Sequence, residues 1–101
     1  MNKKYDVKFT ELFYWDLNSI ICYINYELGN PIAANNLLDE VIQNVYKRSN
    51  NPASFEKYHS TRKRNDTYYR IYVKNYTIFY VLKENTMEVR RMLYSKRNIN
   101  I

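Results

Sequence analysis

The spacing of apolar residues divides the chain into a short strand, two helices and three further strands. Near the N-terminus, Tyr5, Val7 and Phe9 alternate with polar residues, which is the period of a half-buried strand. The apolar residues between positions 13 and 28 follow helical spacing instead, and so do those between positions 34 and 45. The first half of the chain is therefore predicted to be a strand followed by two amphipathic helices.

Capping residues mark the boundaries of the two predicted helices. Thr10 offers a hydroxyl as the N-cap of the first helix. Gly29, the only glycine in the sequence, stands where a helix C-cap favours the left-handed conformation. Asn30 can cap the second helix, and Pro31 suits its first turn. These signals predict an antiparallel helical hairpin with a tight turn.

The second half of the chain is predicted to form a three-stranded antiparallel meander. Its strands are expected at residues 68–74, 76–83 and 86–94. Asn75 and Asn85 separate them, and asparagine tolerates the positive φ of tight hairpin turns. Residues 50–66 are polar without a clear period and indicate a long loop with at most one turn of structure. The predicted fold is α+β, with the helices packed on one face of the sheet.

The length and composition are typical of one small soluble domain spanning residues 1–101. Cys22 is the only cysteine, which excludes an intramolecular disulfide and suits a reducing cytoplasm. No apolar run approaches the ~20 residues that cross a membrane. No cluster of His, Asp or Glu has metal-ligand spacing and no Gly-rich loop indicates a nucleotide site, so no metal or cofactor is expected.

Positive charge is concentrated in the second half of the chain. Residues 51–101 hold 11 Lys/Arg and 4 Asp/Glu, a net charge of +7, whereas residues 1–50 carry −1. Strand alternation places one group on the sheet face away from the helices: Arg70, Tyr72, Lys74, Arg90 and Tyr94. Arg91 falls on the apolar face, where pairing with a helix carboxylate such as Asp16 is expected. A folded cationic and aromatic surface indicates a polyanionic partner, nucleic acid above all.

The order of these segments resembles the RelE/ParE superfamily of bacterial type II toxins. The resemblance rests on LGNPIAANNLLDEVI at residues 28–42 and YRIYVKNYTIFYVLKENTMEVRRMLYSKRN at residues 69–98. It implies one shared fold with two targets. The RelE-like branch is implied to cut mRNA in the ribosomal A site without metal, and the ParE-like branch to poison DNA gyrase. Both are implied to be neutralised by a cognate antitoxin, here expected to be acidic.

The resemblance also assigns catalytic roles to four residues of this chain: Arg70, Lys74, Tyr94 and Arg97. Arg70 matches a basic position that faces mRNA in RelE-like toxins, and Lys74 is expected to extend that face. Arg97 matches the C-terminal basic signature, and Tyr94 can stack on a base or donate a proton. Nucleic-acid contacts are predicted for Tyr72, Arg90, Lys96 and the loop residues Lys57, Arg62, Lys63 and Arg64.

Departures from the RelE-like pattern keep both targets open. Thr77 stands where RelE-like enzymes commonly carry an arginine, and the only histidine, His59, matches no catalytic position. The leading hypothesis is a metal-independent, ribosome-dependent mRNA endonuclease. The alternatives are a gyrase inhibitor without nuclease activity and an inactive or general RNA-binding member of the family. Lys47, Arg48 and Lys83 are interpreted as solvated surface charges, and Tyr14 and Trp15 as packing or antitoxin contacts.

Overall fold

A computed structural model describes residues 4–55, 57–58 and 66–96. The elements are β1 (Asp6–Phe9), α1 (Glu11–Cys22), a π-helical turn (Tyr23–Glu27), α2 (Pro31–Arg48), a 3₁₀ turn (Pro52–Ser54), β2 (Lys57–Tyr58), β3 (Tyr68–Val73), β4 (Tyr76–Lys83) and β5 (Thr86–Tyr94). The five strands form one sheet in the order β1-β5-β4-β3-β2. β1 pairs with β5 in parallel, and the other neighbours are antiparallel.

The helical hairpin forms as its capping residues predict. The Thr10 side chain accepts a hydrogen bond from the Phe13 N–H, and the Asn30 side chain accepts one from the Ala33 N–H. Gly29 adopts a φ of +60°, and Pro31 begins α2. The π-helical turn between α1 and Gly29 was not predicted.

The core lies between the two helices and one face of the sheet. Each helix contributes one apolar stripe, with Phe13 and Leu17 buried on α1 and Leu37 and Val41 buried on α2. The sheet contributes Tyr69, Ile71, Val73, Ile78, Tyr80, Met87, Val89 and Met92. The prediction of an α+β domain with helices on one sheet face is confirmed.

The central strand β4 is buried on both of its faces. Ile78 and Tyr80 point into the helix-side core, while Thr77, Phe79 and Val81 alternate with them and are also almost fully buried. Both faces of the central strand are thus packed. The sheet face away from the helices, hereafter the far face, is therefore not a uniformly exposed charged surface.

Two details of the strands differ from prediction. A bulge shifts the register between β4 and β5, so that Phe79 pairs with Arg91 whereas Tyr80 pairs with Val89. The extra residue, Arg90, reverses the alternation for the rest of β5. In addition, the loop at 50–66 contains the two-residue edge strand β2, which is too short to leave a periodic signal.

The hairpin turns differ from prediction in where the positive φ falls. Lys74 and Glu84 adopt φ values of 53° and 56°, and each is the residue before the asparagine that was expected to supply this conformation. β3 accordingly ends at Val73, and Lys74 belongs to the turn rather than to the strand.

Candidate functional site

Arg70 and Tyr72 lie side by side on the far face. They alternate along β3 with Tyr69, Ile71 and Val73, whose side chains are buried against the helices. The Arg70 guanidinium lies 5.6 Å from the centre of the Tyr72 ring, and Tyr72 is 60% exposed. A cation beside an exposed aromatic ring can contact a phosphate and a stacked base together.

Lys74 does not share this surface. The prediction placed it on β3 in line with Arg70, but it occupies the turn after that strand. Its ammonium lies 3.9 Å from a carboxylate oxygen of Glu40 on α2, and both side chains are about half exposed. Side chains alternate between the two sheet faces only within a strand, and β3 ends at Val73. Lys74 lies beyond that end and is directed towards the helical layer instead.

Tyr94 also lies away from the far face, so its predicted position there is wrong. The bulge at Arg90 brings Met92 opposite Ile78 and Tyr94 opposite Tyr76, on the helix side of the sheet. The Tyr94 and Tyr76 rings meet edge to face, with centroids 5.8 Å apart. Burial, followed by the proximity of Tyr94 and Tyr23, raises the pKa of Tyr76.

Arg90 is held in an ion-pair network, although it does lie near the predicted surface. Its guanidinium donates to Glu88 at 2.7 Å, to Asp66 at 2.9 Å and to the Tyr68 hydroxyl at 3.2 Å. Partial burial lowers the pKa of Arg90, but these hydrogen bonds outweigh it and raise the pKa above its ordinary value. The guanidinium therefore serves first to join β5 to β3 and Asp66.

Asp66 connects two cations at the start of β3. Its carboxylate accepts hydrogen bonds from Lys83 and from Arg90. These two bonds, that of Lys83 first, lower the pKa of Asp66 below its usual value of 3.8. Lys83, interpreted from the sequence as a solvated charge, is thus an ion-pair partner.

Arg91 pairs with Asp16 of α1, as predicted. The guanidinium donates to both carboxylate oxygens, at 2.7 and 3.1 Å, and the Met92 N–H donates to one of them at 3.0 Å. The hydrogen bond to Asp16 raises the pKa of Arg91. β1 pairs with residues 86–89 of β5. Beyond them, the Asp16 carboxylate takes the place of a neighbouring strand by accepting the Met92 N–H.

The structural role of Arg48 at the end of α2 was missed in the sequence. Its guanidinium lies 3.5 Å above the centre of the Phe55 ring and donates to the Arg70 carbonyl and to the Tyr80 hydroxyl, each at 3.0 Å. Tyr80 in turn donates to the Pro52 carbonyl at 2.8 Å. Arg48 therefore fixes the backbone at Arg70, and the prediction of a solvated charge is wrong.

Thr77 has a packing role at the position where RelE-like enzymes commonly carry arginine. It is 3% exposed, and its hydroxyl lies 2.7 Å from that of Ser95. An arginine side chain at position 77 would have to extend out of the packed far face. The departure noted in the sequence thus corresponds to a buried position.

The remaining predicted residues are exposed or undescribed. Lys57 on β2 and Lys96 after β5 are exposed. Those outside the described residues are Arg62, Lys63, Arg64, Arg97 and His59.

A groove of about 770 Å³ opens beside Tyr76 and Tyr94 on the helix side of the sheet. Asp16, Ser19 and Tyr23 line it from the first helical segment. Within the described part of the chain, no group of three or more His, Cys, Asp or Glu residues could hold a metal ion. None of the helices described is long and apolar enough to cross a membrane.

A family model decides the relationship of the chain. Residues 7–99 match the model of the ParE toxin of the type II toxin-antitoxin system parDE. The chain belongs to the ParE toxin family. It is therefore a type II toxin of the RelE/ParE superfamily, as its segment order indicated. No protein of curated function matches it.

Two solved structures are similar to this chain at low sequence identity. A chain of the chromosomal ParDE toxin-antitoxin system from P. aeruginosa has a TM-score of 0.75 at 13% identity, with 92% of this chain and 98% of that chain covered. A chain of the RelB-RelE antitoxin-toxin complex from Methanococcus jannaschii has a TM-score of 0.48 at 24% identity, with 88% and 91% covered. The ParDE chain supports the fold assignment.

Proposed function

We propose that this toxin acts by binding DNA gyrase and blocking its activity, without cutting mRNA. The proposal is supported by membership of the ParE family, because the resemblance described above implies that the ParE-like branch is directed at gyrase. The geometry of the candidate residues provides the second support.

The observation that carries the proposal is the separation of the residues assigned to catalysis. Cleaving mRNA through its 2′-hydroxyl needs a proton acceptor, a proton donor and cations around one phosphate. Of the assigned residues that the structure describes, Arg70 lies on the far face, Lys74 lies in a turn against α2, and Tyr94 lies on the helix side. The three side chains lie on different parts of the domain, which argues against one phosphate site shared by all of them.

A supercoiling assay with purified gyrase tests the proposal. We expect the toxin to abolish supercoiling of relaxed plasmid at stoichiometric amounts, and the same toxin unfolded beforehand to leave it unchanged. Intact supercoiling with folded toxin in large excess would contradict the proposal.

We also propose an antitoxin as the partner that neutralises the toxin. The solved chain that supports this fold comes from a toxin-antitoxin system. A chain with a net charge of +6 favours an acidic partner, which gains both affinity and association rate from the attraction. We expect a small acidic protein to be encoded next to this one and to restore supercoiling when added.

Ribosome-dependent mRNA cleavage is the second candidate, and the pairing of Arg70 with Tyr72 favours it. The two side chains form a cationic and aromatic pair beside each other on the far face. Toeprinting on translating ribosomes tests this candidate, with Arg70→Ala as the variant and the exposed Lys47→Ala as the control. A-site cleavage that Arg70→Ala removes and Lys47→Ala retains would establish it in place of gyrase inhibition.

A further inference from the structure

The helical layer carries charge of one sign, in a chain that has the opposite sign as a whole. Residues 9–46 contain five Asp or Glu and no Lys, Arg or His, although the net charge of the chain is +6. Arg91 pairs with Asp16, and Lys74 lies near Glu40, so two of these five carboxylates have cationic partners. The helical layer therefore repels nucleic acid and attracts cationic groups.

A small recess opens on the outer side of α1, near the start of the helix. Its volume is about 140 Å³, and it is lined by Glu11, Tyr14, Trp15 and Asn18; we call it the Trp15 recess. Residues three and four apart are neighbours on a helix, so the Glu11 carboxylate lies beside both aromatic side chains. No ion pair engages this carboxylate in the described part of the chain. The recess thus combines an available anion with two aromatic rings.

One of these rings is already packed against its neighbours. The centroid of the Tyr14 ring lies 5.7 Å from that of Phe9 and 6.1 Å from that of the buried Phe13. Tyr14 is nevertheless half exposed, and Trp15 is 69% exposed. A side chain that is held in this way loses little conformational freedom when a ligand contacts it, which favours binding.

The size and lining of the Trp15 recess match the head group of a basic side chain. A water molecule takes about 30 Å³ of the liquid, so the recess holds a group of a few heavy atoms and no drug-sized ligand. A cationic group gains from the face of an aromatic ring, most of all that of tryptophan, and from hydrogen bonds to a carboxylate. Asn18 adds an amide oxygen that can accept a further N–H.

We propose that the Trp15 recess binds an arginine side chain presented by a segment of a partner protein. Arginine suits the recess better than lysine does, because a planar guanidinium can stack on a ring while it donates to a carboxylate. Leu12, three residues before Trp15, is also half exposed and extends the apolar surface beyond the recess. This surface favours a protein segment over a free cation. The proposal does not depend on whether gyrase or the ribosome is the target.

NMR of the folded chain tests the proposal, because Trp15 is the only tryptophan and its indole N–H gives a single signal. We expect acetyl-arginine amide to shift this signal and to saturate in the millimolar range, as for a contact through one side chain. Acetyl-citrulline amide has nearly the same shape without the charge, and it should bind about tenfold more weakly or worse. An arginine flanked by leucines in a short peptide should bind about 3- to 10-fold more tightly than acetyl-arginine amide.

Matched variants separate the recess from the general charge of the helical layer. Glu11→Gln should weaken the binding of acetyl-arginine amide by about 3- to 10-fold. Glu27→Gln removes the same charge from another exposed glutamate and should weaken binding by no more than about twofold. Tyr14→Leu removes one ring but keeps the indole signal, and it should weaken binding by about threefold. Circular dichroism checks that the three variants remain folded.

Each part of the proposal has an outcome that overturns it. An indole signal that acetyl-arginine amide leaves in place overturns the site, and so does one that acetyl-citrulline amide moves at the same concentrations. Equal losses in Glu11→Gln and Glu27→Gln would assign the attraction to the whole helical layer and not to the recess. Equal affinities of the leucine-flanked peptide and acetyl-arginine amide would overturn the assignment to a protein segment.

Discussion

The two long sides of the sheet are completed by side chains of opposite charge from the two helices. At the β5 edge, Asp16 of α1 accepts a hydrogen bond from the Met92 N–H after the pairing with β1 ends. At the β3 edge, Arg48 of α2 donates to the Arg70 carbonyl after the pairing with β2 ends. An unpaired strand edge invites association, and a charged side chain laid along it prevents that.

The two edges differ in the other contacts that the charged side chain makes. Asp16 forms an ion pair with Arg91, whereas Arg48 stacks on Phe55 and bonds to the Tyr80 hydroxyl. One edge thus depends on charge and the other largely on aromatic packing. These contacts engage Arg91 and Arg48, so neither guanidinium is readily available to a target. The net charge of the chain therefore overstates the number of cations that can bind a target.

Breaking the β5 edge should have the largest effect. Asp16→Ala leaves the partly buried Arg91 and the Met92 N–H without their acceptor, which should lower the free energy of unfolding by about 2–4 kcal/mol. Urea denaturation measures the change, with the exposed Asp39→Ala as control. Asp16→Asn retains an acceptor for the N–H and should recover part of the loss. Equal stability of the Asp16→Ala and Asp39→Ala variants would refute this account of the edge.

Removing Arg48 should weaken the β3 edge by a smaller amount. Arg48→Ala removes two hydrogen bonds and the contact with Phe55, but Tyr80 keeps its bond to the Pro52 carbonyl. We expect a loss of about 1.5–3 kcal/mol in the free energy of unfolding. This loss should persist in high salt, because stacking is screened less than an exposed ion pair. The exposed neighbour Lys47→Ala is the control and should change little.

The Asp66 network provides a pH-dependent comparison with both edges. The lowered pKa of Asp66 means that its contribution is complete above its unfolded value of about 3.8 and is lost as the pH falls through the lower folded value. Asp66→Asn should therefore be less stable than the natural chain at neutral pH, and the difference should close below pH 3.8. Thermal unfolding across this range measures it. A difference that stays constant down to pH 2 would exclude the carboxylate as its source.

The smallest effect is expected at the turn that holds Lys74. Its contact with Glu40 is long, at 3.9 Å, and both side chains are about half exposed. Lys74→Ala should change the free energy of unfolding by no more than about 0.5 kcal/mol. A loss above 1 kcal/mol would show that the turn depends on this pair.

The sequence predicted the elements and one of the two edge contacts. Thr10, Asn30 and Gly29 act through local hydrogen bonds and backbone conformation, so their roles could be predicted from neighbouring residues. The pairing of Arg91 with Asp16 was predicted because strand alternation put a cation on the apolar face, where it would need a partner. The bulge pairs Arg91 with Phe79 instead, so the ion pair was predicted from a register that β5 does not keep.

The candidate site was predicted less well because it depends on register. Apolar residues still alternate along β5 before and after the bulge at Arg90, so the sequence pattern does not reveal it. The bulge nevertheless moves Tyr94 to the helix side of the sheet. The roles of Arg48 and Arg90 arise from residues brought together by folding, such as Phe55 and Asp66. No local pattern in the sequence distinguishes these arginines from solvated ones.

A paired assay on one preparation of the toxin tests the central proposal most directly. The same protein is added to purified gyrase with relaxed plasmid and to translating ribosomes followed by toeprinting. The proposal from family membership predicts that supercoiling is lost, and the separation of Arg70, Lys74 and Tyr94 predicts that the mRNA stays intact. Cleavage of mRNA in the A site with undiminished supercoiling would contradict it.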